Sequence, residues 1–388
     1  MRDHITPRLG LLTFGHFTID SYSSFFSPLL PLLVVKLDLS LTLVGTLVAL
    51  ASLGSSFSMP LFGFLSDRMA RPWFVAFGPL TAAVFMSGLG LAPSYAALVA
   101  LLLLAGLGVA AFHPQAAVLA SETSPKRNLS MAFFITGGTI GFAMGPIFAV
   151  GVVSAFGLGG TWVAAIPGVL ASGLLLAWFA RATPRRPPGE KRVPLRALRP
   201  VMRPLTLLYL ATVSRSAVSY GFMTFLPLYL TARGYELARS GVILSLYLFM
   251  GAFGGFFGGW LSDRIGGRRV LRFSFLASAP LYFAFLVLPD ALGISCLILG
   301  SFVLQSSLPV NVVLGQELSP EHSSTISSLL MGAAWGVGAL LIGPVGALAD
   351  HRGLPAALGA LTCILFLGMV WAFLLPAKRG YAANAASA

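Results

Sequence analysis

Seven ionisable or strongly polar side chains fall deep inside long apolar runs of this 388-residue chain: His16, Asp20, His113, Gln115, Arg215, Gln305 and Asn311. A charged group at the centre of a membrane helix costs about 2.5–3.5 kcal/mol on insertion scales, so such a residue marks a functional site by default. His16 and Asp20 stand four residues apart, which on a helix puts them on one face within reach of each other. An acid and an imidazole so placed can pass a proton. His113 lies about as deep in its own run as His16 does, and joins Asp20 and His16 as the third candidate proton-coupling residue. It precedes Pro114, whose missing amide donor loosens the helix. Arg215 offers a planar guanidinium that holds a phosphonate or carboxylate through two hydrogen bonds. With Asp20, His113, Gln115, Gln305 and Asn311, and with Tyr22 and Tyr220 as cavity walls, it makes up the candidate substrate-binding set. Plainer roles stay open for the same residues: Asp20 bonding to a neighbouring helix, Arg215 pairing with Asp20 alone, and the histidines packing.

The elements that must position these groups follow from composition. Hydrophobic residues make up 57% of the chain and charged ones 10%, against roughly 25% charged in soluble domains. The chain is therefore an integral membrane protein. Twelve apolar spans, from 9–35 to 354–375, reach the length of about 20 residues that crosses a bilayer. Backbone groups in lipid must bond within their own segment, so each span is a helix and the fold class is all-α. No signal-peptide cleavage site follows the first run, which is expected to remain in the mature protein. Cys296 and Cys363 lie inside apolar runs as packing residues, without a disulfide framework or metal-binding spacing.

The net charge of +13 is explained by its distribution, not by nucleic acid. With the amino terminus inside, 20 of the 25 basic residues fall on cytoplasmic segments and 4 outside, which places both termini in the cytoplasm. Arg215 is the remaining one.

The two halves repeat each other. Gly63, Asp67 and Arg68 match Gly259, Asp263 and Arg264 at an offset of 196 residues, as Pro31 matches Pro227. Pro114 and Glu122 match Pro309 and Glu317 at 195. The expected organisation is a six-helix bundle over 1–180, a cytoplasmic linker rich in Pro and Arg over 181–203, a second bundle over 204–376 and a tail over 377–388. Two copies of one topology around a central cavity are related by an axis along the membrane normal.

These features resemble the major facilitator superfamily over the whole chain. Its loop pattern, Gly-x-x-x-Asp-Arg-x-Gly-Arg-Arg or Lys, is matched by Gly63, Asp67, Arg68 and Arg71 and again by Gly259, Asp263, Arg264, Gly266 and Arg268. Ala70, Pro72 and Gly267 depart from it. The resemblance implies that these loops lock the cytoplasmic side, giving a gating role to Asp67, Arg68, Arg71, Asp263, Arg264 and Arg268, with Glu122 and Glu317 nearby. Gly141, Gly145 and Pro146 resemble the glycine-rich motif of the drug-exporting branches, which adds Gly145 and Pro146 to the gating set; close helix packing is the competing reading. A narrower likeness, in His16-Phe-Thr-Ile-Asp20 and in Ala111-Phe-His113-Pro114-Gln115, is to the fosmidomycin-resistance group of exporters.

That likeness implies a proton antiporter exporting a phosphonate antibiotic or a related toxic anion. An uptake symporter for an organic acid or sugar would use the same residues. No cofactor and no enzymatic activity are expected, because no nucleophile stands beside a base and no phosphate-binding loop is visible. A metal site at His16, Asp20 and His113 is set aside, since the ligands are few and no thiolate is near. The expected partners are a small-molecule substrate, protons and the lipid bilayer of a bacterial inner membrane, with no nucleic acid and a monomeric chain.

Overall fold

The structure, a computed structural model, describes residues 6–69, 71–123, 127–179 and 195–376. Among these the backbone forms helices and turns and no strand. The first six membrane helices are α1 (Pro7–Leu37), α2 (Leu41–Ser66), α3 (Trp73–Leu91), α4 (Tyr95–Ser121), α5 (Ser130–Phe156) and α6 (Leu158–Phe179). After α7 (Met202–Ala232) come α8 (Leu237–Ile265), α9 (Gly267–Val287), α10 (Asp290–Leu318), α11 (Thr325–Arg352) and α12 (Leu354–Leu374). Eleven of these twelve pass a test of length and apolarity for membrane spanning. The exception is α7, long enough at 31 residues, because Arg215 and the hydroxyls of Thr206, Thr212, Ser214, Ser216 and Ser219 dilute its hydropathy. Large apolar side chains such as Leu170, Phe256 and Phe273 lie exposed, as they do where lipid replaces water.

Local chemistry sets the helix ends. The hydroxyls of Thr6, Ser40 and Ser94 accept the amides of Leu9, Leu43 and Ala97 at 3.2, 3.2 and 3.3 Å, capping α1, α2 and α4. Left-handed backbone turns fall at Asp38 (φ 49°), Gly157 (70°), Gly234 (84°) and Gly353 (83°). Asp38 and Gly234 are 196 residues apart, as are Gly157 and Gly353, so the turns repeat with the sequence. Gly266 (φ 91°) is a further such turn; its counterpart Ala70 lies outside the described residues. Helices α1, α2, α10 and α11 are interrupted, α10 at Ser306 between Asp290–Gln305 and Ser307–Leu318. In α1 the α-helix runs over Pro7–Ser23, a 3-10 turn over Ser27–Leu29, and the helix resumes over Leu30–Leu37. In α2 and α11, π-turns occupy Leu53–Phe57 and Leu329–Ala333.

Packing divides the chain into two compact units, residues 1–189 with 223–249, and 190–222 with 250–388. In the first, α1 lies along α5, and α3 packs on α4 and α6. In the second, Gly338 of α11 seats on Ser216 and Ala217 of α7, and α9 packs on α10 and α12. The neighbour pattern is the same six helices later. Of the expected linker 181–203, residues 181–194 lie outside the described residues, as does the tail 377–388; Leu195–Val201 forms a 3-10 segment leading into α7.

Candidate functional site

In the first unit the expected pair becomes a triad. Asp20 Oδ2 lies 3.2 Å from His16 Nε2, and Asp20 Oδ1 lies 3.2 Å from His113 Nε2. Each imidazole is anchored at its other nitrogen: His16 Nδ1 sits 2.8 Å from the Phe134 carbonyl and His113 Nδ1 2.8 Å from the Val109 carbonyl. A carbonyl only accepts, so each Nδ1 carries the proton of its bond. A neutral ring would then turn the bare lone pair of Nε2 toward a carboxylate oxygen. Closing both contacts therefore takes two protons shared among three side chains, and two protons on one carboxylate and two neutral rings leave the cluster at a net charge of +1.

The glycine run of α5 builds the wall of this triad. A methyl group added at Gly138 would fall 2.3 Å from His16 Nε2; added at Gly137, Gly141 or Gly145 it would strike the backbone carbonyls of Thr13, Phe17 or Ser21 at 2.8, 2.1 and 2.3 Å. Four glycines thus let α5 lie directly on α1, one of them leaving room for the His16 ring. That ring stacks on Phe134 at 4.1 Å and meets the His113 ring edge-on at 5.0 Å. Gly145 is a packing residue here, and Pro146 follows it on the same helix. The sequence reading missed this link between the glycine run and His16.

Two expected binding residues in this unit turn elsewhere. Gln115 is buried and accepts the Val75 amide at 3.2 Å, capping the start of α3. Tyr22 is buried too; its hydroxyl donates to the Ala164 carbonyl, so it closes the α1–α6 contact. Both side chains had buried backbone groups to satisfy, and that demand fixed them.

In the second unit Arg215 is 1% exposed. Its Nη1 donates to Gln305 Oε1 at 2.9 Å, and the guanidinium lies 4.9 Å from the centre of the Trp335 ring. Ser216 Oγ stands 3.4 Å from Nη2. Tyr220, one turn on, meets Trp335 edge-on at 5.5 Å. Asn311 is buried and its Nδ2 donates to Thr212 Oγ1 at 3.1 Å, while its Oδ1 has no partner among the described residues. Thr212, Arg215, Ser216 and Ser219 form one stripe of α7 at helical spacing. Arg215, Gln305 and Trp335 are thereby joined, and Asn311 of α10 meets the same α7 stripe at Thr212, about one turn before Arg215. Phe222, three residues beyond Ser219, is buried against Tyr282 at 4.6 Å.

The loop bases are seated on aromatic rings. The Arg68 guanidinium lies 3.6 Å from the Phe64 ring centre and Arg264 4.0 Å from that of Trp260, each pair four residues apart and 196 residues from the other. Arg268 donates to the Leu375 carbonyl, and Arg272 to the carbonyls of Ala372 and Phe373 at 3.2 and 3.0 Å, so two bases of α9 hold the last carbonyls of α12. Asp263, Glu317, Arg268 and Arg272 line a cleft of about 460 Å³. Arg71 is exposed just before α3, and Glu122 is exposed at the end of α4. The side chain of Asp67 lies outside the described residues.

Comparison with known proteins agrees with this architecture. The family model described as Major Facilitator Superfamily matches residues 12–343. The uncharacterized MFS-type transporter YfnC of Bacillus subtilis (strain 168) is 28% identical over 97% of this chain and 94% of its own. The fosmidomycin resistance protein of Escherichia coli (strain K12) is 27% identical over 94% and 92%. Among solved structures, a bacterial homolog to the human lysosomal transporter Spinster, inward-facing and occupied, superposes with a TM-score of 0.83 at 17% identity, covering 97% of each chain.

Proposed function

This chain belongs to the Major Facilitator Superfamily, and from that premise we propose that it is a proton-coupled antiporter exporting a small organic anion or drug, with a phosphonate antibiotic as the type of cargo. It is a multi-pass membrane protein and a transporter by family; coupling, direction and cargo are the proposal. The observation that carries it is the pair of 3.2 Å contacts from Asp20 to His16 and His113. Because both contacts close only with two shared protons, protonation and side-chain arrangement are linked, and coupling requires such a link between ligand and state. Arg215 supports an anionic cargo. It is a permanent buried cation with an amide, a hydroxyl and a ring among its neighbours, and its planar fork is of the kind that holds a phosphonate or carboxylate through two hydrogen bonds. The kinship with the fosmidomycin resistance protein supports export.

One proton moving inward down about 100 mV supplies roughly 2.3 kcal/mol, enough for about a fiftyfold gradient of a neutral cargo. The basic-residue bias supports cytoplasmic termini in a bacterial inner membrane, where the ring-seated Arg68 and Arg264, with Arg71, Asp67, Asp263, Arg268, Glu122 and Glu317, would stand at the cytoplasmic gate. Everted vesicles holding the full chain test the reading. A pH gradient drives cargo exchange in the wild type and not in Asp20→Asn; undiminished exchange in that variant removes the proton role, and cargo accumulation in energised cells replaces export by uptake.

A further inference from the structure

The geometry points to a second occupant of the Asp20 triad: a late first-row divalent metal ion, of which Zn2+ is the representative, held by His16 Nε2, His113 Nε2 and an Asp20 carboxylate oxygen. One donor atom from each of the three residues lies within 4.8 Å of the others. The Asp20 contacts to the two imidazoles, each 3.2 Å, come close to the donor separation of about 3.4 Å around a tetrahedral ion bound at about 2.1 Å. Small side-chain movements would therefore admit the ion without moving a helix.

The surroundings favour ligation beyond mere proximity. Metal-binding histidines almost always donate their other ring N–H to a carbonyl or carboxylate, which fixes tautomer and ring direction. Both imidazoles do so here, to Phe134 and Val109, so the lone pairs of both Nε2 atoms converge on the carboxylate. The His16 ring is further held by Phe134 at 4.1 Å and by the space Gly138 leaves. Charge balance adds to this. A divalent ion on an ionised carboxylate and two neutral rings carries the same net +1 as the doubly protonated triad, so exchanging the one for the other brings no new charge into the apolar interior. Two imidazoles and a carboxylate suit Zn2+, Co2+ and Ni2+ better than the oxygen-seeking Mg2+ or Ca2+. Three protein ligands leave a coordination position open to water or to a ligand, and the partial exposure of Asp20 and His113, 16% and 23% for the side chains, keeps that position reachable. The ion would hold the triad closed in place of the protons.

The test uses the full chain in lipid nanodiscs with any affinity tag removed, titrated with CoCl2 and followed by visible absorption and calorimetry. One Co2+ binds per chain with a tetrahedral-type spectrum, Zn2+ displaces it, and Mg2+ does not. His16→Ala, His113→Ala and the nearly isosteric Asp20→Asn each weaken binding by at least about a hundredfold, with thermal melting checked in every variant. Absence of a Co2+ spectrum in the folded wild type, or equal affinity in a folded His113→Ala and Asp20→Asn, overturns the site. Because no transport is measured, the result stands apart from the antiporter reading: Co2+ binding in a protein whose exchange ignores Asp20→Asn would keep the metal and sink the coupling.

Discussion

Asp20 of α1 and Ser216 of α7 occupy matching places in the two repeats, 196 residues apart, yet their surroundings differ in kind. Around Asp20 three titratable groups meet, His16 buried and Asp20 and His113 part-exposed, and closing both contacts takes two shared protons. Beside Ser216 the permanent cation of Arg215 is buried, with the Gln305 amide, the Ser216 hydroxyl and the Trp335 ring among its neighbours. In the proposed scheme one repeat holds a site that changes charge and the other a site whose charge is fixed. An exchanger needs both: a variable group to follow the proton and a constant one to attract cargo. Duplication gives two equal scaffolds, and the proposed division of labour lies in a few side chains on α1, α4, α7 and α10.

The sharpest way to break this comparison is to neutralise each side separately. Asp20→Asn is expected to lower pH-driven exchange by two orders of magnitude or more, the range for losing a positioned proton carrier, while equilibrium cargo binding measured by thermal shift persists. Arg215→Lys keeps the charge and loses the planar fork; a loss of about 1.5–3 kcal/mol, typical of a hydrogen bond to a charged group, raises the KM for an anionic cargo about tenfold to a hundredfold in vesicle uptake and leaves the pH dependence in place. If either variant removes both properties together, the two sites do not divide the work.

A smaller effect tests the α5 wall. Gly138→Ala puts a methyl group on the His16 ring, and overpacking of about 1–3 kcal/mol slows exchange by about tenfold with a modest fall in melting temperature, whereas Gly151→Ala on the open face of the same helix changes neither. Least of all, Gln115→Ala costs about 1 kcal/mol by uncapping α3, read in thermal melting, with KM unchanged.

Much of this was readable beforehand. Asp20 and His16 could be paired from their spacing because an α-helix repeats every 3.6 residues, and all twelve helices could be placed because lipid imposes length and apolarity. The loop motifs marked both repeats, and their turns at Asp38, Gly157, Gly234 and Gly353 follow the same offset. What could not be read was the destination of long-range hydrogen bonds. Gln115 and Tyr22 looked like cargo ligands because polar groups in apolar runs attract that reading; the amide of Val75 and the carbonyl of Ala164 claimed them instead. The same holds for Arg272, whose carbonyl partners lie 100 residues away and leave no periodic trace. The glycines of α5 were legible as small residues, but which side chain each one clears depends on helix rotation, which composition does not encode.

The break in α1 bears on how force travels through the first unit. The segment carrying the triad is pressed along α5 by the glycine contacts, and the distal segment is tethered by Lys36 Nζ to the Gly90 carbonyl at 2.7 Å. Between them the α-helical ladder ends with the Ser24 amide on the Asp20 carbonyl and gives way to 3-10-type bonds, Phe25 to Tyr22 and Leu29 to Phe26, and Pro28 and Pro31 withhold two donors. Torque applied to the Lys36 end would therefore meet an articulated joint before it reaches Asp20, so the far tip of the first helix is mechanically set apart from the stem that holds the triad.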